Sequence, residues 1–126
     1  MPLSSIENEL TLFMRNYEMA NNSHVWDNVS LMIADDASYW FTDGSYKGID
    51  QIRSAIEATF LKLEDEVYSI TELRWIVAEE STAVCVYRFS WRATIDGEKR
   101  SGDGRGTNIL KKQQGDWKII HEHLSN

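Results

Sequence analysis

His121 and His123 occupy positions i and i+2 of the segment Ile120-His121-Glu122-His123-Leu124, so on an extended strand both imidazoles point to one side. An imidazole exchanges protons near neutral pH, and two of them can ligate a metal ion. Zinc needs more than this pair: structural sites take four protein ligands and catalytic sites three, whereas the third histidine, His24, falls at the start of a predicted helix. No metal and no cofactor is expected. His121 is the candidate acid or base, hydrogen-bonded to Asn108 or Tyr87, with an ordinary satisfied core histidine as the alternative. Asp35 and Asp36 read as the close of a helix, and Asp43 as a turn residue that, alternating with Phe41, is also a minor candidate for a general base. Gly102, Gly104 and Gly106 alternate within a strand and open no helix, so neither a phosphate loop nor a dinucleotide fingerprint is present.

Helices come first along the chain. Ser4-x-x-Glu7 fits a capping box, and Ile6, Leu10, Phe13, Met14 and Tyr17 follow at helical spacing. Ser23 can cap a second helix with Val25, Val29, Met32 and Ile33 on one stripe, closed by Asp35-Asp36. Ser38 to Thr42 and Ser45 to Lys47 form a short ribbon turned at Asp43-Gly44. Ile49, Ile52, Ile56, Phe60 and Leu63 mark a third helix, ended by Glu64-Asp65-Glu66. The period then changes to two, with strands over Val67 to Val77, Thr82 to Ile95, Lys99 to Lys112 and Asp116 to Leu124, joined at Asp96-Gly97 and Gln114-Gly115. This order predicts an α+β fold with three N-terminal helices packed on the concave face of a curved antiparallel sheet.

The turns set a register. A two-residue Asp96-Gly97 loop puts Trp91 opposite Gly102, Phe89 opposite Gly104 and Tyr87 opposite Gly106, so three rings hang over positions without side chains. Such pairs permit strong sheet curvature and also leave room for a ligand. A two-residue Gln114-Gly115 loop places Asn108 opposite His121, giving a polar ring of Tyr87, Asn108, His121 and His123 above an apolar floor of Phe89, Trp91, Leu110, Trp117 and Ile119. A bulge in the last strand would shift it by one and send both histidines to the opposite face. That opposite face alternates Val84, Val86, Ile109 and Ile120 with Arg88, Asp103, Arg105 and Glu122. It predicts a homodimer interface using Arg88, Arg105 and Glu122, or else a solvated face whose ion pairs contribute roughly 0 to 1 kcal/mol each.

Composition narrows the partners. In 126 residues, 13 Lys and Arg stand against 20 Asp and Glu for a net charge of −7, which opposes nucleic-acid binding. Hydrophobic residues at 42% and charged residues at 26% suit one globular domain over residues 1–126. No run of about 18 apolar residues crosses a membrane, and Met1 to Asn8 lack a secretory pattern. Cys85 stands alone, so no internal disulfide forms, and a cytoplasmic location is expected.

Three stretches resemble the SnoaL-like group of the nuclear transport factor 2-like superfamily: Ile33-Ala34-Asp35-Asp36-Ala37, Trp40-Phe41-Thr42-Asp43-Gly44 to Gly48, and Gly104-Arg105-Gly106-Thr107 with Ile120-His121-Glu122-His123-Leu124-Ser125. The resemblance implies a cone of sheet wrapped by helices around a deep pocket, usually dimeric, in a group that includes enzymes and proteins without known activity. Ketosteroid isomerase is a relative in that superfamily, and Tyr17 lies as far before Ala34-Asp35-Asp36-Ala37 as its tyrosine oxyanion donor does. Its catalytic aspartate falls on Phe41 here, and its second acid falls around Gly106 to Asn108, where no carboxyl exists. Steroid isomerisation by that mechanism is not expected. The last strand is also similar to the association domain of calcium/calmodulin-dependent kinase, which implies an assembly role. The expectation is therefore a small apolar molecule bound by Trp40, Tyr87, Phe89, Trp91, Asn108 and His123, with proton transfer on a carbonyl compound by His121 and Tyr17. A non-catalytic association module is the alternative.

Overall fold

The computed structural model describes residues 5–126, so the cap expected from Ser4 lies outside the described residues. Helix α1 (Ser5–Asn22) buries Leu10, Met14 and Tyr17 along the predicted stripe. A five-residue helix α2 (Trp26–Ser30) follows, shorter than expected, because β1 (Ile33–Phe41) begins where the helical stripe was extended. Asp35 and Asp36 are thus exposed strand residues. The ribbon partner β2 (Gly44–Lys47) pairs Phe41 with Gly44, so Thr42 and Asp43 make the turn. Helix α3 (Ile49–Lys62) buries Ile52 and Ile56, and the meander runs through β3 (Glu64–Ala78), β4 (Thr82–Ile95), β5 (Glu98–Gln113) and β6 (Asp116–Ser125).

These strands form one open six-stranded sheet in the order β2-β1-β6-β5-β4-β3. The class is α+β as expected, with a mixed sheet: β1 runs parallel to β6, and every other pair is antiparallel. One continuous core joins Leu10, Met14 and Val29 of the helices to Ala83, Leu110 and Ile119 of the sheet. The edge strand β3 is held by side chains of α1. Glu18 Oε2 accepts from the Ile70 amide at 2.5 Å, Arg15 Nη1 donates to the Ile70 carbonyl at 2.8 Å, and Asn22 bonds both the amide and the carbonyl of Tyr68. Backbone groups that an edge would leave unpaired are served by the helix.

Asp96-Gly97 and Gln114-Gly115 both have positive φ at each central residue, the geometry that matches the twist of a two-residue hairpin. In β4 and β5 the predicted register holds throughout: Trp91 faces Gly102, Phe89 faces Gly104 and Tyr87 faces Gly106. The Phe89 and Tyr87 rings lie directly over the Gly104 and Gly106 α-carbons. Between β5 and β6 the pairing starts as predicted, with Gln113 on Asp116 and Leu110 on Ile119, and then slips by one. Ile109 pairs with His121, and Asn108 pairs with Glu122. A bulge at Ile120 is responsible, and it reverses the face of every later side chain in β6.

The glycine contacts predict a graded response. A Cβ on Gly104 would collide with the backbone oxygen of Ser125 as well as the Phe89 ring, whereas on Gly102 it would meet only the half-buried Trp91 indole, at 2.7 Å from Nε1. Urea denaturation should therefore show Gly104→Ala losing about 1–3 kcal/mol and Gly102→Ala clearly less, since the indole can swing aside. Equal losses would mean that close approach is not why glycine stands at Gly104.

Candidate functional site

Because of the bulge, Glu122 enters the interior, where it is only 3% exposed. Its partners come from four other elements. Tyr17 of α1 donates to Glu122 Oε1 at 2.9 Å, and Asn108 Nδ2 of β5 donates to the same oxygen at 3.2 Å. The Tyr17 and Tyr39 hydroxyls lie 2.8 Å apart. Tyr17 has one proton and gives it to Glu122, so Tyr39 of β1 must be the donor between them. Tyr87 of β4 completes the chain by donating to Asn108 Oδ1 at 2.8 Å. Since Oε1 already accepts two hydrogen bonds, the proton of the neutral carboxyl sits on Oε2.

Burial pushes the Glu122 carboxyl up to about 7, against the pull of the hydrogen bonds from Tyr17 and Asn108. The same burial, reinforced by the Glu122 charge, holds Tyr17, Tyr39 and Tyr87 well above the usual phenol range, so they act as neutral donors. Cys85 lies beneath them and is pushed up by burial to about 12, which makes it an inert thiol. Tyr17 and Glu122 line a cavity of about 370 Å³ with apolar walls that include Phe41, Ile56, Phe89, Trp91 and Leu124. That volume falls at the small end of ligand pockets. A second carboxyl, Glu66, also faces this space, along with Tyr68.

The structure sorts the predicted residues into two groups. Tyr17, Tyr87 and Asn108 meet in the buried network, and Phe89 and Trp91 line the cavity beside it. His121, His123 and Trp40 lie on the other side of the sheet. There Ser38 Oγ and His121 Nδ1 are 2.7 Å apart, and the Trp40 ring stands nearly perpendicular to His121 with centroids 4.8 Å apart. Burial and the nearby His123 lower the His121 pKa. His121 therefore cannot reach the cavity, and Glu122 cannot join Arg88 and Arg105 on the outer face; the one-residue slip exchanges their places. Arg88 instead lies 3.7 Å from Glu72, in an exposed pair.

Two functional candidates escaped the sequence reading. Glu122 carried the right signal in the wrong register, while Glu66 was absorbed into the acidic run that ends α3. Its alternation with Tyr68 and Ile70, both inward residues, was the available clue. Among the described residues, no group of three or more His, Cys, Asp or Glu side chains is arranged to hold a metal ion. No described helix is long and apolar enough to cross a membrane.

The fold agrees with the comparisons with known proteins. The chain belongs to the SnoaL-like domain family, whose profile matches residues 10–126. Similar solved structures include a nuclear transport factor 2-like superfamily protein from Salmonella enterica serovar Typhimurium, with 17% identity over 97% of this chain and 91% of that one and a TM-score of 0.86. A proposed calcium/calmodulin dependent protein kinase II association domain from Xanthomonas campestris has 20% identity over 99% and 90% of the two chains, at TM-score 0.85. A proposed aromatic ring hydroxylase from Novosphingobium aromaticivorans has 18% identity over 98% and 91%, also at 0.85. These likenesses establish a shared fold. No curated protein matches the sequence.

The Glu122 environment has a consequence for stability. Unfolding returns the carboxyl from about 7 to its ordinary value of 4.5, so between those values the folded chain binds the extra proton. This group leaves stability unchanged below about 4.5, erodes it as pH rises, and by the top of the interval has removed roughly 3 kcal/mol. Glu122→Gln keeps an acceptor for Tyr17 and abolishes the titration. Its unfolding free energy relative to wild type should therefore improve by that order between pH 4.5 and pH 7.5; a difference independent of pH would place Glu122 among ordinary carboxylates.

Proposed function

We propose that the chain binds a small, largely apolar carbonyl compound inside the cone and moves a proton on it, with Glu122 as the acid–base group. The observation that carries this reading is a carboxyl pushed up to about 7 by burial, at the wall of an apolar cavity. A group titrating near neutrality both gives and takes a proton readily. Tyr39 donates to Tyr17, and this polarises the Tyr17 hydroxyl as a donor beside the carboxyl. As Glu122 takes the α-proton, its oxygen loses the charge that held the Tyr17 hydroxyl, and that one proton can swing to the carbonyl oxygen where charge develops. Family membership is consistent with such ligand binding and isomerase-type chemistry, and the role moves from His121 to Glu122 because only the carboxyl faces the cavity.

We further propose a homodimer through the outer face of the sheet. Half-buried Val84, Val86 and Ile109 lie there beside Arg88 and Arg105, and Trp40 leaves 49% of its surface exposed. The same face would serve a non-catalytic association module, the reading favoured by the likeness to the Xanthomonas structure.

The two readings separate in solution. With 1-tetralone as probe in D2O, wild-type protein should accelerate exchange of the hydrogens beside the carbonyl, and Glu122→Gln should slow that exchange by about 10²- to 10⁴-fold. Equal rates would remove Glu122 from the chemistry, and failure of the ketone to bind would remove the pocket reading. Light scattering should give a dimer for wild type and a monomer for Val86→Lys; larger assemblies without ketone binding would support the module.

A further inference from the structure

The cavity has a second polar feature that the Glu122 network leaves unused. Glu66 lines it with a side chain only 8% exposed, and behind Glu66 stands His24, whose Nε2 lies 3.6 Å from Glu66 Oε1. That nitrogen is buried and has no hydrogen-bond partner. Buried polar atoms are nearly always satisfied, so an orphan next to a cavity carboxyl requires an explanation.

Local backbone geometry builds this pair. His24 has φ 56° and Asp65 has φ 53°, both left-handed without being glycine. Asp65 sits where the pairing of β3 with β4 slips, between Glu64 opposite Thr94 and Val67 opposite Arg92. The bulge sends Glu66 inward, on the side of Tyr68 and Ile70. His24 closes the turn after α1 and stacks on Phe60 of α3 with ring centroids 5.1 Å apart. Backbone strain of this kind gathers where a side chain must be aimed.

Glu66 and Glu122 occupy different ends of the space. Through Asn108, Glu122 belongs to the cross-strand row of Cys85, whereas Glu66 lies beside Arg92, near the far end of β4. Between them the walls are mainly apolar. Tyr68 is within electrostatic reach of both carboxyls, and the other charged residues on the cavity, Lys62 and Asp43, are exposed. Burial pushes Glu66 up to about 7, as it does Glu122.

We propose that Glu66, backed by His24, is a second polar pole of the cavity, and that the bound molecule carries an oxygen function at each end of a compact apolar skeleton, as a hydroxy-ketone does. The carbonyl end meets Glu122 and Tyr17, and the hydroxyl end donates to the Glu66 carboxyl. His24 is a positioning residue: stacked on Phe60, it sets its Nε2 3.6 Å behind Glu66 Oε1 and holds the carboxyl on the cavity side. The inference rests on the cavity being a ligand site, as proposed above.

Three probes separate the parts by calorimetry or ligand-observed NMR: 1-tetralone, 6-hydroxy-1-tetralone with its oxygens at opposite ends, and 5,6,7,8-tetrahydro-2-naphthol without the carbonyl. Wild type should hold 6-hydroxy-1-tetralone about tenfold tighter than 1-tetralone, the gain of one hydrogen bond in a dry site. Glu66→Leu should erase that gain and weaken the naphthol while leaving 1-tetralone binding unchanged. His24→Asn, which suits a left-handed backbone, should shrink the hydroxyl gain while leaving 1-tetralone binding unchanged, a selective loss that a general packing defect would not produce. A hydroxyl gain that is absent in wild type or persists in Glu66→Leu overturns the second pole and leaves the Glu122 reading standing. Loss of 1-tetralone binding in wild type overturns both.

Discussion

A single carboxyl in a dry interior governs this structure. Glu122 is surrounded by core side chains, and an isolated ionised group there would carry a desolvation penalty far above the stability of a small domain. The chain meets this constraint by converging donors on it from α1 and β5, with β1 and β4 supplying the hydroxyls behind them. Five elements therefore depend on one another's placement. Shifting any of them by one residue would leave a buried polar atom unpaired, so the network specifies the assembly as well as the chemistry.

Curvature makes room for that network. The rings of Tyr87, Phe89 and Trp91 lie across glycines, which lets β4 and β5 bend closely together. Side chains at Gly102, Gly104 and Gly106 would displace the rings that wall the interior. The same glycines thus shape the sheet and let the rings lie flat on it, while α1 and α3 close over the cavity through Tyr17, Ile56 and Phe60.

Much of this was legible in the residue pattern. The helical stripe ending at Tyr17, the Asp96-Gly97 hairpin and the ring-over-glycine pairs follow from periods and turn chemistry that act locally. The parallel pairing of β1 with β6 was not readable, because partners more than eighty residues apart leave no local signature. The reversal of His121 and Glu122 has a sharper cause. A bulge at Ile120 changes no residue type, yet it inverts the face of all that follows, and its energetic reason is remote: Tyr17 and Asn108 both donate to one oxygen of Glu122, and an imidazole nitrogen has a single lone pair to offer. Glu66 was hidden in the same way, by a bulge inside an acidic run that otherwise resembles a helix end.

The bonds from α1 to β3 tie access to motion. Glu18, Arg15 and Asn22 act as a surrogate strand for Ile70 and Tyr68, while Tyr17, on the same helix, caps the buried carboxyl. Lifting this helix would unzip the sheet margin and unroof the interior in one concerted event. The solvent exchange of the Ile70 amide is thus a built-in clock for how often the deepest chemistry of the molecule sees water.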